Sequence, residues 1–264
     1  KMLAVIGGVS GVARGAAPVI GGLLTGSVGW QGIFMILLFI GILLGIGCIR
    51  FKESLPAEKR SKTGVWATFR SFGIIVHNRR YMLYVFQLAF AQGILFAYIA
   101  SSPFIIQQHY GFSPFAFSIC FAVNAVAIGV AAALSVKFRR TENGTLTGCV
   151  GMLVFAVLQM AALYSGCGFW TYELLMFALL FMMGLTFTAS TTLAMDCERR
   201  YAGAASALLG ALCFASGGIV SPLVGLGDIL ISTGVTFVIC AVCSLLCALW
   251  AVKRTGPKVA LCRI

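Results

Sequence analysis

The sequence predicts an all-α integral membrane protein, a bundle of eight membrane-spanning helices, and three observations carry that prediction. Of its 264 residues 60% are hydrophobic and only 10% charged, with a mean hydropathy of +1.01, a balance foreign to water-soluble domains of this size. The apolar residues gather into runs of about 20, the length that crosses the hydrocarbon as a helix. The basic residues fall between those runs, in loops of one parity. Backbone groups in lipid must be satisfied within their own segment, so long apolar runs mean helices. The alternation of a β-barrel is absent.

The runs lie near 2–25, 31–50, 81–106, 113–136, 145–165, 172–195, 202–226 and 229–252. The chain opens on Lys1 and enters the first run directly, with no cleavable signal peptide, so a longer natural chain is expected. A short turn around residues 26–30 separates the first run from the second, which stops at Arg50. The stretch from Phe51 to Arg80 begins with the charged KESLPAEKRSK, a solvated linker. It continues as WATFRSFGIIVHNRR, which suits an amphipathic helix on the inner leaflet. The remaining runs are joined by short loops.

Basic residues set the orientation. Arg50, Lys52, Lys59, Arg60, Lys62, Arg70, Arg79 and Arg80 precede the third run; Lys137, Arg139 and Arg140, then Arg199 and Arg200, occupy later loops of the same parity, and Lys253, Arg254, Lys258 and Arg263 the tail. The loops around 26–30, 107–112, 166–171 and 227–228 hold no Lys or Arg. Both ends of the chain are therefore expected in the cytoplasm. The net charge of +12 follows from this topology and an anionic leaflet, and calls for no nucleic-acid partner. Ten cysteines lie mostly within the runs, Cys240, Cys243 and Cys247 on one helix face, and read as small packing residues. No His or carboxylate completes a metal-ligand set, and no cofactor is expected.

The first run, GGVSGVARGAAPVIGGLL, and the seventh, LLGALCFASGGIVSPLVGLG, look like copies: Pro18 with Gly21 and Pro222 with Gly225 each follow small residues. The repeat is then a parallel one of six helices, whose first unit lacks four. Residues 1–50 become the last two helices of an N-terminal bundle, 51–80 a cytoplasmic linker, and 81–264 a C-terminal six-helix bundle and tail. On the first helix Gly7, Gly11, Gly15, Pro18, Gly21 and Gly22 share a broad face nearly devoid of side chains, with Arg14 inside it. Such a face lets another helix approach closely, the chief source of packing where no hydrophobic force joins helices.

APVIGG with the following Gly29, Trp30, Ile33 and Phe34 resembles the fifth-helix antiporter motif of drug:proton antiporters in the major facilitator superfamily. YIASSPFIIQQHYGFSPFAFSICFAVNAVAIGVAAAL resembles helices seven and eight of the Bcr/CflA subfamily, matching at Pro103, Phe104, Phe121 and Asn124 and, two residues before the stretch, at Phe96. AGAASALLGALCFASGGIVSPLVGLG resembles helix eleven. The resemblance covers nearly the whole chain, as helices five to twelve. It departs at Arg14, where the family carries an apolar residue or proline, and at VKFRRTENG, a degenerate copy of the superfamily's basic loop motif without its aspartate. It implies a bacterial inner-membrane multidrug exporter, monomeric, that moves small lipophilic substrates against protons by alternating access and has its acidic proton carrier in the absent first helix.

Transporter sites lie near the midplane between bundles. Tyr84, Gln87, Tyr98 and Ser102 share a face of the third run, and Asn124 lies mid-span in the fourth. With Arg14, the residues Tyr84, Gln87, Tyr98 and Asn124 are the substrate-cavity candidates. Arg14 lies about 18 Å into its span, too deep to snorkel readily. Thr186, Thr188, Ser190, Thr191 and Thr192 read as interhelical hydrogen-bonding groups. Glu173, Asp196 and Asp228 read as interface residues, leaving no mid-depth carboxylate and no proton carrier of the chain's own. No Ser/His/Asp, metal or phosphate-loop constellation points to an enzyme. The alternatives are a facilitator for one metabolite or amino-acid derivative, and a non-transporting remnant.

Overall fold

The computed structural model describes the backbone of residues 2–50, 65–135, 138 and 140–253, and side chains at 20, 21, 24, 28–50, 71–135, 138 and 140–253. All described regular structure is helical. Helix α1 runs Met2–Arg50 as two arms that meet at Gly29, whose φ of 66° and ψ of 178° only glycine adopts without strain. The two predicted runs at 2–25 and 31–50 are therefore joined by a single-residue hinge. Helix α2 (Val65–His77) is the short amphipathic segment expected at the end of the linker.

Six long helices follow: α3 (Arg79–Pro103), α4 (Pro114–Ser135), α5 (Thr141–Tyr164), α6 (Phe169–Cys197), α7 (Ala202–Val224) and α8 (Ile229–Lys253). Pro103 has no N–H to donate back along α3, and the chain continues as a widened π-helical turn over Phe104–His109. Among the described residues seven helices are long and apolar enough to span a membrane. Short connections make sequence neighbours antiparallel, which collects Arg79, Arg80, Arg140, Arg199, Arg200 and Lys253 at one end of the bundle, the basic end.

Helix α3 is central, packed against α6, α7 and α8; α5 lies between α6 and α8, and α4 covers α6 and also carries α1. Close crossings coincide with small residues, as lipid-embedded packing requires. A Cβ at Gly184 would come within 2.5 Å of the Ile128 carbonyl oxygen, one at Gly217 within 2.6 Å of the Phe96 ring, and one at Gly234 within 3.0 Å of Met160 Cα. Gly148 admits the Thr186 hydroxyl in the same way. The described cysteines are unpaired, with Cys149, Cys213 and Cys240 buried.

Both ends of the bundle are tied. At the basic end Asn78 caps α3, accepting from the Tyr81 N–H at 3.2 Å, while its amide donates to Glu198 at 2.6 Å beyond α6. Tyr81 also donates to the Ala205 carbonyl at 2.6 Å, fastening α3 to α7. At the opposite end Tyr110 donates to the Cys167 carbonyl at 2.9 Å, joining the α3–α4 and α5–α6 loops. Burial, reinforced by the Cys167 contact, holds that hydroxyl above the ordinary phenol range.

Candidate functional site

Three helices each bring one polar side chain to a common point: Tyr98 from α3, Asn124 from α4 and Glu173 from α6. The Asn124 Nδ2 donates to the Tyr98 hydroxyl oxygen at 3.0 Å and to Glu173 Oε1 at 2.8 Å. Tyr98 and Asn124 are each 1% exposed, and Glu173 is partly buried. The Phe121 ring stacks on Tyr98 with centroids 5.4 Å apart and planes 21° apart. An aromatic wall on one side and an amide on the other thus hold the phenol in place.

The site lies toward the end opposite the basic one. Glu173 is four residues into α6, about 6 Å along its axis, and Asn124 is ten residues into α4, about 15 Å. Polar capacity there exceeds the bonds made. Asn124 Oδ1, Glu173 Oε2 and the Tyr172 hydroxyl are buried without a protein partner, as are both amide atoms of Gln159 on α5 and the Thr233 hydroxyl on α8. Buried polar atoms of this kind are costly unless water or a ligand meets them. A separate apolar groove between α3, α7 and α8, lined by Phe90, Ile219, Leu223 and Ile239, offers no comparable chemistry.

The structure brings together two of the expected cavity residues, Tyr98 and Asn124, and separates the others. Tyr84, Gln87, Tyr98 and Ser102 do share one buried face of α3. Gln87 is engaged inside the bundle: its Nε2 donates to Ser244 Oγ at 3.1 Å, and that hydroxyl donates back to the Gln87 carbonyl at 3.1 Å. Cys149 Sγ completes the group at 3.5 Å. Tyr84 lies near the basic end, its ring 5.9 Å from the Arg80 guanidinium carbon. Arg14, Gly11, Gly15, Pro18 and Gly22 stand on the helical backbone of α1, and their side-chain surroundings lie outside the described residues. A Cβ at Gly21 would meet no atom within 4 Å.

The three carboxylates expected at the interface do not behave alike. Asp228 is a helix cap, accepting from the Leu230 and Ile231 N–H groups at 2.8 and 3.2 Å, and Asp196 pairs with Arg199 on the surface at 2.9 Å. Glu173, however, is no interface residue: it turns into the bundle toward Asn124. Its sequence position near a helix end suggested water, because hydropathy cannot say which way a first-turn side chain points. One signal was available. Glu173, Met176, Leu180 and Gly184 share a face at 100° per residue, and a glycine in lipid marks the face that meets another helix. The threonines also divide: Thr186, Thr191 and Thr192 bond carbonyls of their own helix, and only Ser190 reaches across, to Thr145 at 3.1 Å.

Comparison with known proteins agrees with this architecture. The family model described as Major Facilitator Superfamily matches residues 1–222. The chain is 36% identical over 227 residues to an uncharacterised MFS-type transporter, YdgK, of Bacillus subtilis, covering 83% of this chain and 56% of that protein. It is 28% identical over 222 residues to a bicyclomycin resistance protein homolog of Haemophilus influenzae, covering 79% of this chain and 53% of that one. The chain spans about half the length of the curated relatives it matches. Long apolar helices packed through glycine crossings, with a family match that extends over most of the chain, place this protein in the major facilitator superfamily.

Proposed function

We propose that the chain is the C-terminal part of a Bcr/CflA-type exporter, which moves small lipophilic compounds out of a bacterial cell across the inner membrane in exchange for protons. The observation that carries this reading is its similarity, over four fifths of its length, to a protein named for bicyclomycin resistance. In this reading residues 1–50 end one bundle, 51–80 form a cytoplasmic linker and 81–264 form the second bundle, with both chain ends in the cytoplasm. The contact of α1 with α4 is then the meeting of the two bundles, and alternating access is their rocking about it. Arg14, Tyr98 and Asn124 are the residues of the central path, with Tyr84 and Gln87 supporting it from the same face of α3.

Drug and dye efflux in a bacterium stripped of its main pumps tests the proposal. Expression of the complete gene product should lower dye accumulation, and a protonophore should abolish that effect. Arg14→Gln should change which compounds are exported at unchanged membrane level. Unaltered accumulation of every dye and drug, with uptake of one polar metabolite instead, would identify a specific facilitator.

A further inference from the structure

Among the described residues no cation balances the carboxylate of Glu173. Tyr98 faces it from α3, Cys120 from α4, and Tyr172 from α6 itself. Helix α5, packed on α6, brings only Glu142 at the far end and the exposed Tyr164 besides Cys149, and α7 contains no charged residue. The sole salt bridge among the described residues is Arg199 with Asp196. Among the described residues Glu173 is therefore held by one amide, that of Asn124, and this amide is unusual in how its two ends are used.

Asn124 Nδ2 donates both to Glu173 and to Tyr98, while Oδ1 is buried with no partner among the described residues. Both bonds use the donor end, and the Tyr98 proton is left to find another acceptor. The amide's ends are nearly the same shape, so reversing it exchanges only Nδ2 and Oδ1 and puts an oxygen between Tyr98 and Glu173. Tyr98 then donates to that oxygen. Glu173 can do so as well, but only as the neutral acid. One amide orientation thus serves the carboxylate and the other the protonated acid, with two hydrogen bonds in each.

We propose that Glu173, through Asn124 and Tyr98, is a proton-binding site of the C-terminal bundle, taking up and releasing a proton with reversal of the Asn124 amide. The carboxylate takes the proton on one oxygen, that O–H donates to Asn124 Oδ1, and release restores the bond from Nδ2. Asn124 stands on α4, the helix against which α1 packs, so the site lies on an element in contact with the first part of the chain. Proton binding stands by itself; its use in export rests on the function proposed above.

Infrared difference spectroscopy of the purified chain in lipid nanodiscs, between acidic and alkaline buffer, reads the site directly. A protonated-carboxyl band should titrate in the wild type and be lost in Glu173→Gln, with the bands of the other carboxylates retained. In Asn124→Leu, which keeps Glu173, the same band should move to higher frequency, because the acid has lost its acceptor. Identical difference spectra for wild type and Glu173→Gln would overturn the proposal. So would a Glu173 band that Asn124→Leu leaves unmoved. Absent efflux in cells with the band intact would count against the exporter reading alone, and intact efflux without the band against this site alone.

Discussion

Val28–Arg50 and Arg79–His109 are both long and apolar enough to cross a membrane, yet none of the first is buried within the protein while 56% of the second's most apolar stretch is. The more apolar of the two is the uncovered one. Leu37, Phe39, Leu44 and Ile49 all lie exposed along the second arm of α1. The central helix carries Tyr81, Gln87, Tyr98, Ser101 and Ser102, all buried. In water the ranking would be reversed. Lipid cannot hydrogen-bond a glutamine, so the polar side chains of the central helix turn inward.

The largest test of this contrast puts the same substitution on both helix types. Gly184→Leu drives a side chain into the backbone of α4 at Ile128, where neither partner can move as a side chain would. It should cost about 3 kcal/mol or more and remove the folded, monodisperse species on size exclusion. Gly45→Leu meets no atom within 4 Å and should change stability by less than about 0.5 kcal/mol. Thermal unfolding in detergent measures both. A large loss at Gly45 would mean that another part of the molecule covers that face.

A middle-sized effect is expected where α8 meets the central helix. Ser244→Ala removes the hydroxyl that both accepts from and donates to Gln87, whose Oε1 already lacks a partner. The loss should be about 1 to 2 kcal/mol, near the upper range of interhelical hydrogen bonds in membranes, because one hydroxyl closes two bonds. An unchanged melting temperature would show that water replaces it.

How much of this was visible in the sequence follows from the same physics. Span number and order were legible because hydrocarbon thickness imposes a length, and the basic loops because charge cannot be hidden in lipid. The face of α3 that turns inward was legible from Tyr84, Gln87, Tyr98 and Ser102, since polar residues at helical spacing leave lipid together. The kink at Gly29 was legible only as a turn. The Tyr98–Asn124 pair could not be read, because it depends on how α3 and α4 rotate against each other, and that rotation is set by packing far along the chain. Glu173 was misread for a related reason: position along a helix gives depth, while direction comes from Gly184 about three turns away. The family resemblance named Asn124 as a matching residue but contained nothing about its partners.

The finest test separates hydroxyls that look alike in sequence. Ser190 and Thr192 lie two residues apart on α6, and both stood as candidates for bonds between helices. The structure has Ser190 fully buried and 3.1 Å from the Thr145 hydroxyl of α5, whereas Thr192 is exposed and bonded to the Thr188 carbonyl one turn back at 2.9 Å. A bond across helices contributes about 0.6 kcal/mol on average in a membrane, since the unpacked helix finds other partners for its hydroxyl. A bond to the helix's own backbone survives separation of the helices and contributes almost nothing to holding them together. Ser190→Ala should therefore lower the unfolding free energy by about 0.6 kcal/mol and Thr192→Val should leave it unchanged. Combining Ser190→Ala with Thr145→Val should cost less than the sum of the two, because either substitution alone already breaks their shared bond. Strict additivity in that double-mutant cycle would show that the two hydroxyls, though adjacent, do not hold α5 to α6.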